Sequence, residues 1–335
     1  MGFDIDFVVT WVDGSDHSWI EKRQQYTASN NDESPVRFRD YGTFKYWFRA
    51  IEKYAPWVHK IYLITDHQSP DWLNECNPKL VLVDHKDYLP KEILPTFNSN
   101  AIELGIPDIE ELTEHFVVFN DDMFLNAPVK PKDFFDSEGL PRDSAVQNAI
   151  MPIEDFDHVS VNNLLIINKH YNKRQVLINN FFKFFNPRYG YLNLISILLL
   201  PWPRFTRFYD PHIPISLLKS VCIQVLQENK GIKLKTMKSR FRSMTDNTIW
   251  LFRYEQLVSG KFHPRSVRIG KKYQIDQVDK VCSDITRSDH KMICINDVSL
   301  SEQDFQLACT KLLKAFQKVH PRSSSFEMTQ QSIKK

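Results

Sequence analysis

Hydrophobic positions in the first 138 residues fall into four short runs, separated by longer segments with helical spacing. Ile5–Val12, Lys60–Thr65, Leu80–Val83 and His115–Phe119 are mostly apolar and end on polar, turn-forming residues, which predicts buried β-strands. Between the first two, Phe44, Trp47, Phe48, Ile51 and Tyr54 share one helical face and Pro56 ends the pattern. Asp16 is placed to cap a helix opening near His17. Strands alternating with helices imply βαβ units, so the expected fold is α/β, with a Rossmann-like, mostly parallel sheet flanked by helices.

Residues 139–320 carry a less regular pattern and read as a more helical second half. Leu217, Leu218, Val221, Val225 and Leu226 predict a helix over Ile215–Glu228, and Ser301, before Asp304, opens another over Ser301–Val319. The aromatic cluster Phe181–Phe185 reads as core. Leu192–Trp202 is the longest apolar stretch, but Asn193, Ser196 and Pro201 interrupt it and it is too short to span a bilayer. It reads as a core helix, with a surface helix resting on a membrane as the alternative. From Arg322 onward no apolar face is left, and 321–335 is expected to be a disordered tail.

An open parallel sheet binds ligands beyond the carboxyl ends of its strands. Those ends are Asp13, Asp66, Asp84-His85 and Asn120-Asp121-Asp122, so metal-capable residues collect along one edge. The adjacent carboxylates of Asp121 and Asp122 repel each other and are costly to bury. A hard cation shared with a phosphate accounts for them, because Mg²⁺ or Mn²⁺ is held by one or two carboxylates plus substrate oxygens. A solvated turn capping the next segment is the plain alternative. Asp13-Gly14-Ser15-Asp16 places two acids in one tight turn, more than a helix cap needs. Thr96–Asn100 offers amides to a sugar or base, or simply an N-cap at Asn98.

His212, stiffened between Pro211 and Pro214, suits a general base acting on a hydroxyl, although a lone histidine is more often structural. Arg240, Arg242 and Asp246 form a short cluster in which an arginine fork would grip phosphate oxygens, or a solvated basic turn. Asn296-Asp297, after the apolar Met292–Ile295, repeats the strand-then-acid pattern.

Composition narrows the class. At 335 residues, 42% hydrophobic and 25% charged, the chain has the make-up of a globular protein with a sizeable core. Its nine glycines form neither GxGxxG nor GxxxxGK[ST], which argues against a Gly-rich phosphate loop. A net charge of +2 is too balanced to imply nucleic acid. Five cysteines without a CxxC pair fit a reducing compartment better than a disulfide framework. A strand beginning almost at the N-terminus leaves no signal peptide, so the expected location is cytoplasmic, with the inner face of the cell membrane left open. The residues alone reach a metal-dependent enzyme handling a phosphorylated or nucleotide ligand, and stop short of the reaction.

Several runs carry a resemblance. They are Asp6-Phe-Val-Val-Thr-Trp-Val-Asp-Gly-Ser-Asp16, Arg39-Asp40 through Glu52-Lys-Tyr-Ala-Pro-Trp57, and Leu94-Pro-Thr-Phe-Asn-Ser-Asn-Ala-Ile-Glu103. Glu114-His-Phe through Asn120-Asp-Asp-Met-Phe124, the His212-Ile-Pro-Ile segment and Phe241-Arg-Ser-Met-Thr-Asp246 complete the set. In this order they resemble the Stealth family of bacterial capsular-polysaccharide phosphotransferases, whose animal relative is GlcNAc-1-phosphotransferase. The chain departs from the family pattern at Thr43-Phe44, at Asp66-His67 and directly after Leu104, which bears on sugar and acceptor identity.

The resemblance implies a nucleotide-sugar-binding fold related to GT-A glycosyltransferases, with residues 1–138 holding the donor and 139–320 completing the site. It implies transfer of a hexose or N-acetylhexosamine 1-phosphate from a UDP-sugar to a hydroxyl of a polysaccharide or lipid-linked oligosaccharide, releasing UMP. By the same likeness Asp13, Asp16, Asn98, Asn120 and Arg39 bind substrate, and Asp121, Asp122 and Asp297 hold Mg²⁺ or Mn²⁺. His212, Arg242 and Asp122 are the catalytic candidates. Two alternatives stay open: a metal-dependent GT-A glycosyltransferase releasing UDP, and a non-catalytic polysaccharide-binding protein.

Overall fold

The computed structural model describes residues 2–27, 38–153 and 157–328. Its strands are β1 (Ile5–Thr10), β2 (Ile61–Thr65), β3 (Leu80–Asp84), β4 (His115–Asn120), β5 (Met123–Leu125), β6 (Arg142–Asp143), β7 (Ile215–Leu218), β8 (His263–Pro264), β9 (Gly270–Gln274) and β10 (Met292–Asn296). Helices in the first half are α1 (His17–Gln24), α2 (Phe44–Tyr54), α3 (His85–Tyr88) and α4 (Ser99–Gly105). The second half adds α5 (His158–His170), α6 (Lys173–Asn179), α7 (Phe181–Phe184), α8 (Leu192–Leu198) and α9 (Lys219–Glu228). It ends with α10 (Lys230–Lys238), α11 (Trp250–Val258), α12 (Val278–Arg287) and α13 (Glu302–Val319).

The main sheet runs β3-β2-β1-β4-β7, with the first four strands parallel and β7 antiparallel to β4. This is the α/β class that the alternating pattern predicts. β1, β2 and most of β4 are buried, which is why they read as continuous apolar runs. Phe7 and Trp47 pack on Phe119, with ring centroids 4.9 and 5.4 Å away. Asp6 is tolerated inside β1 because it accepts hydrogen bonds from the Lys60 and Thr113 amides at 3.1 and 2.9 Å, with His59 Nδ1 at 2.8 Å.

The chain builds outward from β1 to β3, then returns to β4 on the other side of β1. That reversal opens a crevice between the carboxyl ends of β1 and β4, where Thr10 pairs with Asn120. Only Asp121 and Asp122 separate β4 from β5, which leaves the main sheet for a second one of order β5-β10-β9. The acid pair therefore forms the joint between two sheets. Within the second sheet Cys294 lies opposite Met123 on one side and Lys272 on the other.

Four expectations are corrected. The first turn of the predicted Ile215–Glu228 helix is strand β7, which covers the exposed edge of β4; helix α9 begins only at Lys219. Of Phe181–Phe185, Phe184 is core, whereas Phe181 and Phe182 face outward. Leu192–Trp202 yields the seven-residue α8, which buries Leu192 and Ser196 and exposes its other face, so it is no core helix. The tail expected to be disordered is packed as far as Met328: Phe326 is buried against Phe48, and Glu327 pairs with Arg49 at 2.6 and 2.7 Å. The rest of that tail, 329–335, lies outside the described residues. Among the described residues no helix is long and apolar enough to cross a membrane.

Candidate active site

Beyond β1 the chain turns sharply through Asp13–Asp16. Gly14 is required there, since a Cβ would lie 2.3 Å from the Phe38 carbonyl oxygen. Asp13 Oδ1 accepts from the Ser15 amide and hydroxyl at 2.8 and 2.6 Å. Asp16 caps α1 through the Ser18 amide and accepts from Gln68 Nε2, both at 2.9 Å. The Gln68 contact, followed by Ser18, holds the Asp16 carboxyl below its ordinary range. Asp16 thus fastens the loops after β1 and β2 together, while burial first, and Asp13 among the neighbouring charges, raise the Asp40 carboxyl.

Asp121 opens the two-residue joint between β4 and β5 and is exposed to solvent. Burial, the adjacent Asp122 and Asp40 push its carboxyl up to about 7. Asp122 is pushed up to about 6 by burial, with the Cys294 contact opposing. Its Oδ2 accepts from the Cys294 thiol at 3.2 Å, while Oδ1 is buried without a hydrogen-bond partner. Burial and Asp122 keep that thiol protonated, well above its ordinary value. Ligand atoms of Asp122, His212 and Cys294 lie within 4.8 Å of one another. An orphaned carboxylate oxygen beside a second acid that keeps its proton to neutral pH marks missing positive charge. The carboxylate oxygens of Asp121 and Asp122 suit Mg²⁺ or Mn²⁺, whereas the protonated Cys294 thiol is a poor ligand for these hard cations and the His212 imidazole is left free for proton transfer.

His212 reaches this site from a left-handed backbone, φ +49°, with its ring stacked on Trp250 at 6.3 Å. The approach is rigid. Asp210 accepts from Arg253 Nη1 and the Tyr254 hydroxyl, each at 2.7 Å, and the buried Arg253 also grips Asp143 at 2.7 and 3.0 Å. Burial, then Lys272 and Arg242, lower the imidazole to about 4, so the ring is neutral at physiological pH.

Arg242 donates from Nε and Nη2 to Ser99 Oγ at 3.0 and 2.7 Å. Its segment is strapped to α4 by the buried Asp246, which accepts from Asn98 Nδ2 (2.8 Å), Asn100 Nδ2 (3.1 Å) and the Ser243 amide (2.9 Å). Asn98 therefore caps α4 and anchors the arginine segment, in a fully buried position. Glu103, on the same helix as Ser99, is raised to about 7 by burial, with Arg242 pulling it down and Asp122 pushing it up. The sequence reading passed over Glu103, although it closes one of the matched runs. Lys272, Cys294 and Arg253 carry no local signal at all.

Asn120 ends β4 at the crevice. Arg39 and Asp297 are bound to each other, bidentately at 2.9 and 2.8 Å, with the guanidinium 4.0 Å from the Phe305 ring centroid. Burial first, then the charges of Asp297, Asp122 and Asp121, raise the Tyr41 phenol far above its ordinary value. A second group, Asp66, His67 and Asp84, also brings ligand atoms within 4.8 Å at the ends of β2 and β3. There Lys22 already neutralises Asp66 at 2.7 Å and His67 binds Asp84.

Acids, a guanidinium and a neutral imidazole converging where the strand order reverses equip an α/β transferase for an anionic substrate. Conserved region 1 of the Stealth proteins matches residues 3–31, and conserved region 2 matches 37–143. The exopolysaccharide phosphotransferase cps2G of Lactiplantibacillus plantarum is 56% identical over 97% of this chain and 96% of its own length. The capsular polysaccharide phosphotransferase WcwK of Streptococcus pneumoniae is 44% identical, covering 96% of this chain and 98% of its own. The receptor polysaccharide phosphotransferase WefC of Streptococcus oralis is 40% identical, covering 97% and 99%. The chain belongs to the Stealth family. The two matched regions take in Asp13, Asp16, Arg39, Asn98 and Asn120–Asp122, and leave His212, Arg242 and Asp297 outside.

Proposed function

We propose that this phosphotransferase moves a sugar 1-phosphate from a UDP-sugar to a hydroxyl of a growing cell-surface polysaccharide or its lipid-linked precursor, releasing UMP. The observation that carries the reading is the pairing, in one crevice, of an under-neutralised acid pair with a separate base and clamp. A phosphoryl group retained in the product needs both. A transferase attacking the anomeric carbon and releasing UDP could use the same base and clamp, and what favours phosphotransfer over it is the likeness to named polysaccharide phosphotransferases.

Asp121 and Asp122 would hold Mg²⁺ or Mn²⁺, whose chemistry there is charge neutralisation on the donor diphosphate. Arg242 grips the oxygens of the phosphoryl group being transferred, held in place by Ser99 and steadied by the Glu103 carboxyl. His212 accepts the acceptor hydroxyl proton as that oxygen bonds to the sugar-bearing phosphorus and the bond to the UMP oxygen breaks. A value of about 4 makes the free imidazole a weak base, but Lys272 and Arg242 contribute to that depression. Burial is the larger cause, so an anionic donor near these cations would offset only their share and raise the basicity part of the way.

Alanine at Asp121, Asp122, His212 and Arg242, assayed separately for transfer from a UDP-sugar panel, tests the assignment. Each should lower turnover by orders of magnitude, as should a chelator; near-normal turnover in any one removes that residue from its role.

A further inference from the structure

We propose that the outer face of α6, α7, α8 and the loop to Arg204 is a docking surface for an anionic lipid bilayer. The proposal does not depend on the reaction assigned above.

Helix α8 is apolar on both sides. It buries Leu192 and Ser196, while Tyr191, Leu194 and Leu198, spaced three and four residues apart, are 74%, 61% and 72% exposed. Phe182 at 81% and Trp202 at 52% extend the same kind of surface. Hydrogen bonds join these elements into one piece. Lys173 Nζ donates to the carbonyls of Leu199 (2.6 Å) and Trp202 (3.0 Å). Asn186 Nδ2 donates to the Phe182 carbonyl at 3.0 Å, and Asn193 Nδ2 to that of Asn186 at 2.8 Å. Exposed apolar side chains gathered on linked elements in this number mark a contact site.

Charge identifies what makes the contact. From His158 to Tyr209 there is no Asp or Glu, in a chain with 41 of them, yet seven Lys or Arg occur. Among the described residues Lys169, Arg174, Arg188 and Arg204 have no carboxylate within ion-pair distance. A second copy packed symmetrically on this face would bring like charges together. Anionic headgroups neutralise them instead, while Trp202 and Tyr191 suit the boundary between headgroups and acyl chains. A seven-residue helix cannot span the bilayer, so it lies in the plane of the interface.

Flotation of the full chain with vesicles of phosphatidylglycerol in phosphatidylcholine, and of phosphatidylcholine alone, tests this. The protein should float with the anionic vesicles, less so at high salt, and Leu194→Glu/Leu198→Glu should lower partitioning by about tenfold or more. Turnover on a water-soluble acceptor should be unchanged in that variant. Should it melt early, Arg174→Glu/Arg188→Glu provides a charge-based equivalent and should also release the protein. Flotation that persists in a His212→Ala protein supports the surface whatever the reaction proves to be. Failure to float, equal affinity for neutral vesicles, or a lipid-free dimer that requires Leu194 and Leu198 overturns the proposal.

Discussion

Metal binding at the acid pair should release protons, and the number released should fall with pH. Burial raises both carboxyls above the ordinary 3.8, Asp121 to about 7 with Asp122 and Asp40 adding to it, and Asp122 to about 6. A pair that is largely protonated at pH 6 and ionised at pH 8 must give up protons to the cation at the lower pH, so Mn²⁺ affinity should rise roughly tenfold or more between them. The sign for stability follows. Both values are raised in the fold, so the contribution to the metal-free protein's stability is full below 3.8 and is lost as pH rises from there through about 7. Mn²⁺ should therefore raise the melting temperature more at pH 8 than at pH 6. Calorimetry in buffers of different ionisation enthalpy counts the protons directly. A pH-independent affinity, or an Asp122→Asn protein that binds Mn²⁺ as tightly as the parent, would refute the reasoning.

Three further outcomes follow from the geometry. His212→Ala should reduce kcat by roughly 10²–10⁴-fold while leaving donor affinity nearly unchanged, measured by steady-state kinetics beside donor titration. Arg253→Met removes the cation shared by Asp143 and Asp210 and should cost about 3–5 kcal/mol in urea unfolding, because two buried carboxylates lose their partner. Gly14→Ala drives a Cβ into the Phe38 backbone and should lower the yield of folded protein, read by circular dichroism and thermal melting.

Much of the first sheet was legible because its information is local. β1 to β4 are short apolar runs ending in acids, and a parallel sheet converts that order into a shared edge without further knowledge. Ile215–Leu218 was misread because three apolar residues and a serine running into a helix have no distinguishable period; only the exposed edge of β4 decides for a strand. Phe181 and Phe182 defeated the rule that aromatics are core, since hydrophobicity alone does not say which face meets protein. Phe326 shows the converse: one apolar residue in a polar tail docks the chain when a partner as large as Phe48 is waiting.

The site divides in the same way. Asp121 and Asp122 announce themselves as neighbours in sequence, whereas Cys294 and Lys272 reach them only through the register of β5, β10 and β9. Arg253 is 43 residues beyond Asp210 and holds the His212 approach from a helix interior that reads as ordinary core. Asp16 and Asn98 were legible as capping residues, and the structure gives both that work.

The nucleotide released from a UDP-sugar, together with the fate of its phosphorus, tests the central claim most directly. With purified protein, Mn²⁺ or Mg²⁺ and an oligosaccharide acceptor, UMP should accumulate and phosphorus should be retained in the saccharide as a phosphodiester. UDP with a phosphorus-free product would contradict the account and make the enzyme a glycosyltransferase.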